Sequence, residues 1–387
     1  MTKVKQTWPM TAFDAVGIRA NQGKFVIQGI DGDEVRMEGD FAARYPRNLN
    51  FGPDGRWLKL YTTWQHGDSQ FTLQLPKSKV WTIDIFSGRA DAKIENIQAR
   101  LHMWAGKGEA QIENCRGAFS VTSGNANVHV KHFNEIDAPP IPPLPREEHH
   151  ISIEEPESWG DWEEWADWGG EFGEKFLRKF FGETGGSGRG INIQVGKGDV
   201  ELEDINIKSC YVRTARGDAK IKQGRIGAFD MKIIAGDVVC ESCLPAGDWI
   251  IRANRGDVRL SLPSDTAARL DVTTRHGEIL SKTPLVRVTR QGPESWHGNR
   301  MVGSIGAKSE GKVPEIDVST LNGDIEIKTE SARSQNYNAF EKQQNITTNP
   351  ASPTGAVYNS ELEILTALSD GKINVEEAER LLRDSKK

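Results

Sequence analysis

Five acidic residues recur at one position of a short phrase. Asp199, Asp218, Asp237, Asp257 and Glu278 each follow a glycine and precede an apolar residue, from Gly198-Asp199-Val200 to Gly277-Glu278-Ile279. Stacked at the spacing of about 4.8 Å between neighbouring strands, such carboxylates could hold cations. They could equally serve the backbone, because an aspartate after a glycine caps its own turn. The nonapeptide calcium signature of parallel β-rolls is absent, so the capping reading is preferred. A polysaccharide-cleaving β-helix would also display acids, but it needs a cleft of irregular loops that evenly spaced coils do not supply.

Other candidate chemistry is sparse. Cys240-Glu241-Ser242-Cys243 has the spacing of half a tetrahedral metal site, yet no second CxxC completes it. In register with the repeat, Cys240 stacks with Ile221 and Leu260, and Cys243 takes the place of Ile205, so both should point into a core. His129 and His132 lie three apart on an expected strand and would face opposite sides, a poor ligand pair. Arg216-Gly217-Asp218 and Arg255-Gly256-Asp257 spell an integrin tripeptide but are repeat corners. No catalytic residue, metal ligand or cofactor is expected, and the chain is not read as an enzyme.

The elements that carry these residues follow from the repeat. The glycines at 198, 217, 236, 256 and 277 are 19, 19, 20 and 21 residues apart, and the phrase returns 46 residues later as Gly323-Asp324-Ile325. A period near 20 with a Gly-acid turn is the pattern of a β-solenoid. Weaker copies at Gly88, Gly108 and Gly124 extend it backwards, and Gly106-Lys107-Gly108-Glu109 parallels Gly196-Lys197-Gly198-Asp199. Val200/Leu202, Ala219/Ile221, Val238/Cys240 and Val258/Leu260 form inward columns, followed in the first coil by Ile205/Ile207 and Cys210/Val212. Glu201, Glu203, Asn206 and Lys208 point outward. Each coil is expected to consist of a few very short strands joined at tight corners.

The fold class is therefore mainly β, a solenoid in two halves spanning 1–135 and 190–329. Between them, 136–157 is a linker with five prolines from Pro139 to Pro145, which favours extended chain. Residues 158–182 predict an amphipathic helix, opened by the capping-box spacing at Ser158 and stopped by Gly182. Trp162, Trp165, Trp168, Phe172, Phe176 and Phe180 would share an arc of about 120° on it, a face that would either pack on the flank of the solenoid or bind outside it. From Glu147 to Glu174 there are eleven acidic residues and no Lys or Arg, unlike the basic helices that lie on anionic lipid. Residues 330–358 read as a polar linker and 359–387 as a helical hairpin whose Leu365, Leu368 and Leu381 would face a partner.

The net charge of -6 gives no general attraction to nucleic acid. Four cysteines are too few for a disulfide framework, and no signal peptide or apolar stretch of spanning length occurs. A cytoplasmic protein, at most peripheral to the inner membrane, is the expectation.

The Gly-Asp-apolar coils, the early Gly29-Ile30-Asp31-Gly32-Asp33-Glu34-Val35 phrase and the terminal Ile364 to Leu382 hairpin together resemble a bacterial β-strand-repeat family of unknown function, labelled "putative adhesin", with a short SHOCT-like helical module. The resemblance implies a role in the envelope-stress response and carries no catalytic residues. The combined expectation is a non-enzymatic scaffold binding a protein partner or its own copies through the aromatic helix and the hairpin. No small-molecule substrate is evident. The alternative is a membrane-associated or adhesin-like module recognising lipid or glycan through the aromatic helix.

Overall fold

Strictly alternating apolar residues flanked by glycine corners build one continuous parallel ladder in this chain. The computed structural model describes residues 2–41, 49–54, 56–62, 68–136, 190–283, 286–291, 298–306 and 313–330, all within one unit, Met1–Ser331. Among the described residues nine strands precede the insert: β1 (Thr2–Pro9), β2 (Ala15–Ile30), β3 (Glu34–Phe41), β4 (Leu49–Asp54), β5 (Trp57–Thr62), β6 (Asp68–Pro76), β7 (Val80–Glu95), β8 (Gln98–Glu113) and β9 (Arg116–Glu135). Twelve follow it: β10 (Ile191–Lys197), β11 (Val200–Arg216), β12 (Ala219–Ala235), β13 (Val238–Pro245), β14 (Trp249–Arg255), β15 (Val258–Pro263), β16 (Ala268–His276), β17 (Ile279–Ser281), β18 (Val286–Gln291), β19 (Asn299–Ile305), β20 (Glu315–Asn322) and β21 (Ile325–Glu330).

The coils stack in parallel register. Thr82, Arg100 and Ala118 are neighbours on β7, β8 and β9, a step of 18 residues, and Val200, Ala219 and Val238 are neighbours on β11, β12 and β13, a step of 19. β9 pairs with β10 through Phe119 and Ile191 and with β11 through Val128 and Val200. The two halves read in the sequence are thus consecutive rungs, and the chain between 137 and 189 leaves and rejoins one uninterrupted ladder.

The inward columns hold as expected. Val200, Ala219, Val238, Val258 and Ile325 on one side of a turn, with Leu202, Ile221, Cys240, Leu260 and Ile327 two residues on, are all 1% exposed or less. Each such aliphatic side chain contributes about 1.5–3 kcal/mol by leaving water. Trp81 and Trp249 are fully buried, with their indole N–H groups donating to Pro76 O at 2.9 Å and Ile226 O at 3.3 Å.

The corners are of two kinds. At the first, glycines with φ between 131° and 155° (Gly198, Gly217, Gly236, Gly256, Gly323) bring the chain so close to the previous rung that a Cβ would lie 2.0 Å from a carbonyl oxygen. Only glycine fits. At the second, Asn96, Asn114, His132, Asp204, Gln223 and Ser242 occupy the left-handed region with φ of 51–58°. The strands are longer than expected, because β9, β11, β12 and β13 run straight through that second bend without losing their ladder.

Space and sequence part company at the ends. β2 lies between β7 and the later pair β5 and β6. At the other end β20 sits between β14 and β16, and β21 between β15 and β17, so the last strands of the ladder are wedged inside earlier ones. Antiparallel strands then close the stack: β4 on β5, β3 and β1 beyond β6, and β19 and β18 beyond β16. Such covers keep long parallel edges from pairing with other chains.

Candidate functional site

The acid row is assembled as the repeat predicts, and its chemistry is structural. Asp199 Oδ1 accepts from the backbone N–H of Asp218 at 2.8 Å, Asp218 Oδ1 from Asp237 at 2.8 Å, and Asp237 Oδ1 from Asp257 at 2.9 Å. The next acceptor relation runs from Asp257 to Asp324 at 3.0 Å, and only then from Asp324 to Glu278 at 2.8 Å. Asn127 starts the row by capping Asp199 N–H at 3.0 Å. An uncharged amide thus does the same work. The row needs an acceptor oxygen and no cation.

The thiols are core groups. Cys115, Cys210, Cys240 and Cys243 are free and buried. Loss of water pushes Cys115 up to about 11 and Cys243 up to about 12, and it raises Cys210 and Cys240 as well. Cys240 stacks between Ile221 and Leu260, and Cys243 lies beside Gly224, itself beside Ile205, in the columns expected.

The histidines are separated. His129 stands between Glu109 at 3.8 Å and Glu201 at 3.4 Å, while His132, at the left-handed bend, meets Asp204 Oδ2 through Nδ1 at 2.7 Å. Among the described residues no group of three or more His, Cys, Asp or Glu is arranged to hold a metal.

One outward strip carries more varied chemistry than the rest. Asp84 and His102 are direct neighbours on β7 and β8, and two residues along, Phe86 and Trp104 stack with ring centroids 4.7 Å apart and planes 15° apart. The strip continues through Thr122 on β9 and Gln194 on β10 to β11, where Arg213 lies 3.9 Å over the Tyr211 ring and reaches Asp230 at 2.5 Å. Burial raises the pKa of Asp84, a shift partly offset by Arg19. Burial also lowers that of His102, with Arg100 adding to the effect. At neutral pH this places an uncharged imidazole beside a poorly hydrated carboxylate and two stacked rings, a surface suited to contact.

Reading the sequence for repeats of glycine and acid missed this strip. Its signal was present: Phe86 and Trp104 occupy the outward phase of two strands and are 18 residues apart, the local coil length. The expected partner-binding residues Trp162, Trp165, Trp168, Phe172, Phe176, Phe180, Leu365, Leu368 and Leu381 lie outside the described residues, as do the expected amphipathic helix, hairpin and both linkers beyond Ile136 and Glu330.

A family model described as Toastrack DUF4097 matches residues 61–328, which is more than half of the chain and spans the parallel coils from β6 to β21. The chain belongs to the Toastrack DUF4097 family. Solved structures similar to this Toastrack chain include a "putative adhesin" from Bacteroides fragilis, 10% identical, covering 85% of this chain and 97% of that one with a TM-score of 0.36. A second "putative adhesin", from Parabacteroides distasonis, is 9% identical over 84% of this chain and 97% of that one, with a TM-score of 0.35. A "putative lipid binding protein" from Parabacteroides distasonis is 9% identical over 85% and 97%, with a TM-score of 0.27. Comparison with curated proteins gives no match.

Proposed function

We propose that this Toastrack protein is a non-enzymatic interaction scaffold, in which a rigid ladder holds contact surfaces for protein partners or for further copies of itself. The observation that carries this reading is the commitment of the repeated carboxylates: each Oδ1 of the row from Asp199 to Asp324 accepts a backbone N–H of the next rung. The chemistry repeated most often along the ladder thus holds rungs together. The strip of Asp84, His102, Phe86 and Trp104 supplies varied side chains on a flat sheet, the composition of a contact surface.

The finer proposal assigns the partner contacts to two segments. Residues 158–182 would present Trp162, Trp165, Trp168, Phe172, Phe176 and Phe180, and residues 359–387 would present Leu365, Leu368 and Leu381. A place in the bacterial envelope-stress response, on the cytoplasmic side, belongs to the same proposal. Among the described residues no helix is long and apolar enough to cross a membrane.

Vesicle flotation tests it. With vesicles containing anionic phospholipid, the intact chain and a chain lacking 158–182 should both stay at the bottom of the gradient, because the net charge is negative with the segment and without it. Flotation of the intact chain that is lost with 158–182 would overturn the protein-partner reading and install the lipid-binding one. A pull-down with and without residues 358–387 then reads the contribution of the hairpin.

A further inference from the structure

The outward strip from β7 to β11 is shielded from water more than a flat sheet accounts for. Gln194 alternates with the inward Ile193 and Val195, so it points away from the aliphatic core, yet it is only 2% exposed. Arg213, its neighbour on β11, is 8% exposed, and Tyr211 and Asp230 explain part of that. The same loss of water shifts Asp84 and His102. Farther along the ladder the shielding ends: Ile250, in the column of Asp84 and His102, is 36% exposed. Every described strand is a rung or an edge of the one sheet, so none overlies the strip.

The shielded region is centred where residues 137–189 leave and rejoin the ladder. β9 ends at Glu135, and Gly190, which opens β10, accepts the N–H of Phe119 on β9 at 3.0 Å. The chain between them carries five acids and no Lys or Arg from 147 to 157, then six acids against Lys175, Arg178 and Lys179 within 158–182, along with Trp162, Trp165, Trp168, Phe172, Phe176 and Phe180. The strip carries Arg19 beside Phe86, Arg100 two residues from His102, and Arg213, which lies three rungs from Trp104 and is bonded to Asp230, together with the carboxylate of Asp84. Guanidinium groups and aromatic faces together suit an acidic aromatic peptide.

We propose that the outward face of β7–β11 is a docking surface for an acidic aromatic peptide, and that residues 158–182 of the same chain occupy it. A separate partner with that chemistry would have to displace the segment first.

Thiol labelling tests the proposal, since the four native cysteines are buried and react slowly. Gln194→Cys in the intact chain should label about tenfold or more slowly than Ile250→Cys. Deleting 158–182 should bring Gln194→Cys up to the rate of Ile250→Cys and leave the latter unchanged. Equal rates in the intact chain would overturn the proposal. So would a slow rate that survives the deletion, or one that depends on protein concentration, which would assign the cover to a second copy. If the deletion variant fails to fold, a benzophenone photo-cross-linker at position 194 of the intact chain gives the answer: adducts within 137–189 support the proposal, and adducts elsewhere overturn it. Neither readout involves membranes, so its failure is separate from that of the flotation assay.

Discussion

The middle of the ladder and its two ends obey the same local rules and reach different arrangements. From β7 to β13 each rung pairs with the next rung in the chain; the left-handed bend recurs at every step from Asn96 to Ser242, and the glycine corner recurs at Gly108, Gly198, Gly217 and Gly236, with Ala90 and Ala126 in its place on β7 and β9. At the ends, β2 and the β20–β21 pair slide between rungs that come from elsewhere in the sequence. The difference teaches that a Gly-acid corner specifies that a rung stacks, and leaves open which rung it stacks on. Length and polarity make that choice. β15 pairs six residues with β21, whereas β17 is only three residues long. The wedged rung also turns Ile325 and Ile327 inward at 0% exposure where the outer rung has the half-buried Ile279 and Ser281, while both rungs share a buried threonine, Thr320 beside Thr274. The most apolar rung goes inside, where both of its faces along the stack are covered.

Charges placed in the core should separate the two regions most sharply. Leu202→Asp, in the middle, would leave an unpaired carboxylate between Val130 and Ile221 and break the ladder into two parts, with loss of cooperative unfolding in a denaturant titration. Val318→Asp, in the wedge between Ile251 and Val272, should release only the rungs beyond β14. Limited proteolysis would then cut within 268–306 while 80–260 stays intact. If both variants unfold the whole chain alike, the ends are as integral as the middle.

Glycine replacements come next in size. Gly236→Val would set a Cβ 2.0 Å from the Gly217 carbonyl oxygen at φ 144°, and should cost at least about 3 kcal/mol in chemical denaturation. Gly32, near one end with φ 131°, has nothing within 4 Å of its Cβ position, so Gly32→Ala should cost only about 1–2 kcal/mol. The acid row predicts a smaller step. Asp218→Ala removes the acceptor for Asp237 N–H and should cost about 0.5–2 kcal/mol, by analogy with other lost caps. Asp218→Asn should recover most of that loss, because Asn127 already performs this role. If Asn fails as badly as Ala, charge matters in the row after all.

The smallest effect concerns Glu330, where the wedge ends. The Ser261 hydroxyl beside it, then Lys328 and Ser242, hold its carboxyl down to about 2, from an ordinary 4.5. A lowered acid stabilises the fold fully above its unfolded value and loses that contribution as pH falls through the folded value. Glu330→Gln should therefore lower the Tm slightly at pH 7 and make no difference near pH 2, the gap closing between 4.5 and 2. With its side chain 38% exposed, water screening keeps the loss below about 1 kcal/mol.

How much of this was legible depended on whether a position admits one residue type or several. The glycine corner was readable because nothing but glycine tolerates its backbone, and the columns of Val200 and Leu202 because strands alternate with period two. The second corner was invisible to the same reading. Asn96, Asn114, His132, Asp204, Gln223 and Ser242 share one conformation but only the loose preference of polar residues for it, so no letter repeats beyond Asn96 and Asn114. The contact strip was hidden for a related reason: Phe86 and Trp104 look like ordinary strand residues until the rungs are laid side by side.

The sequence by itself determined the coil, its period, the corner chemistry of Gly and Asp, and the burial of Cys240 and Cys243, because each rests on contacts set by local geometry and a fixed step along the chain. Only the tertiary structure decided that the two halves are one ladder across 137–189, that Asp324 stands between Asp257 and Glu278, and that Asp84, His102, Phe86 and Trp104 meet on one face. Those outcomes depend on which of several acceptable rungs buries the most apolar surface. That comparison is made across the whole stack and cannot be read from any single repeat.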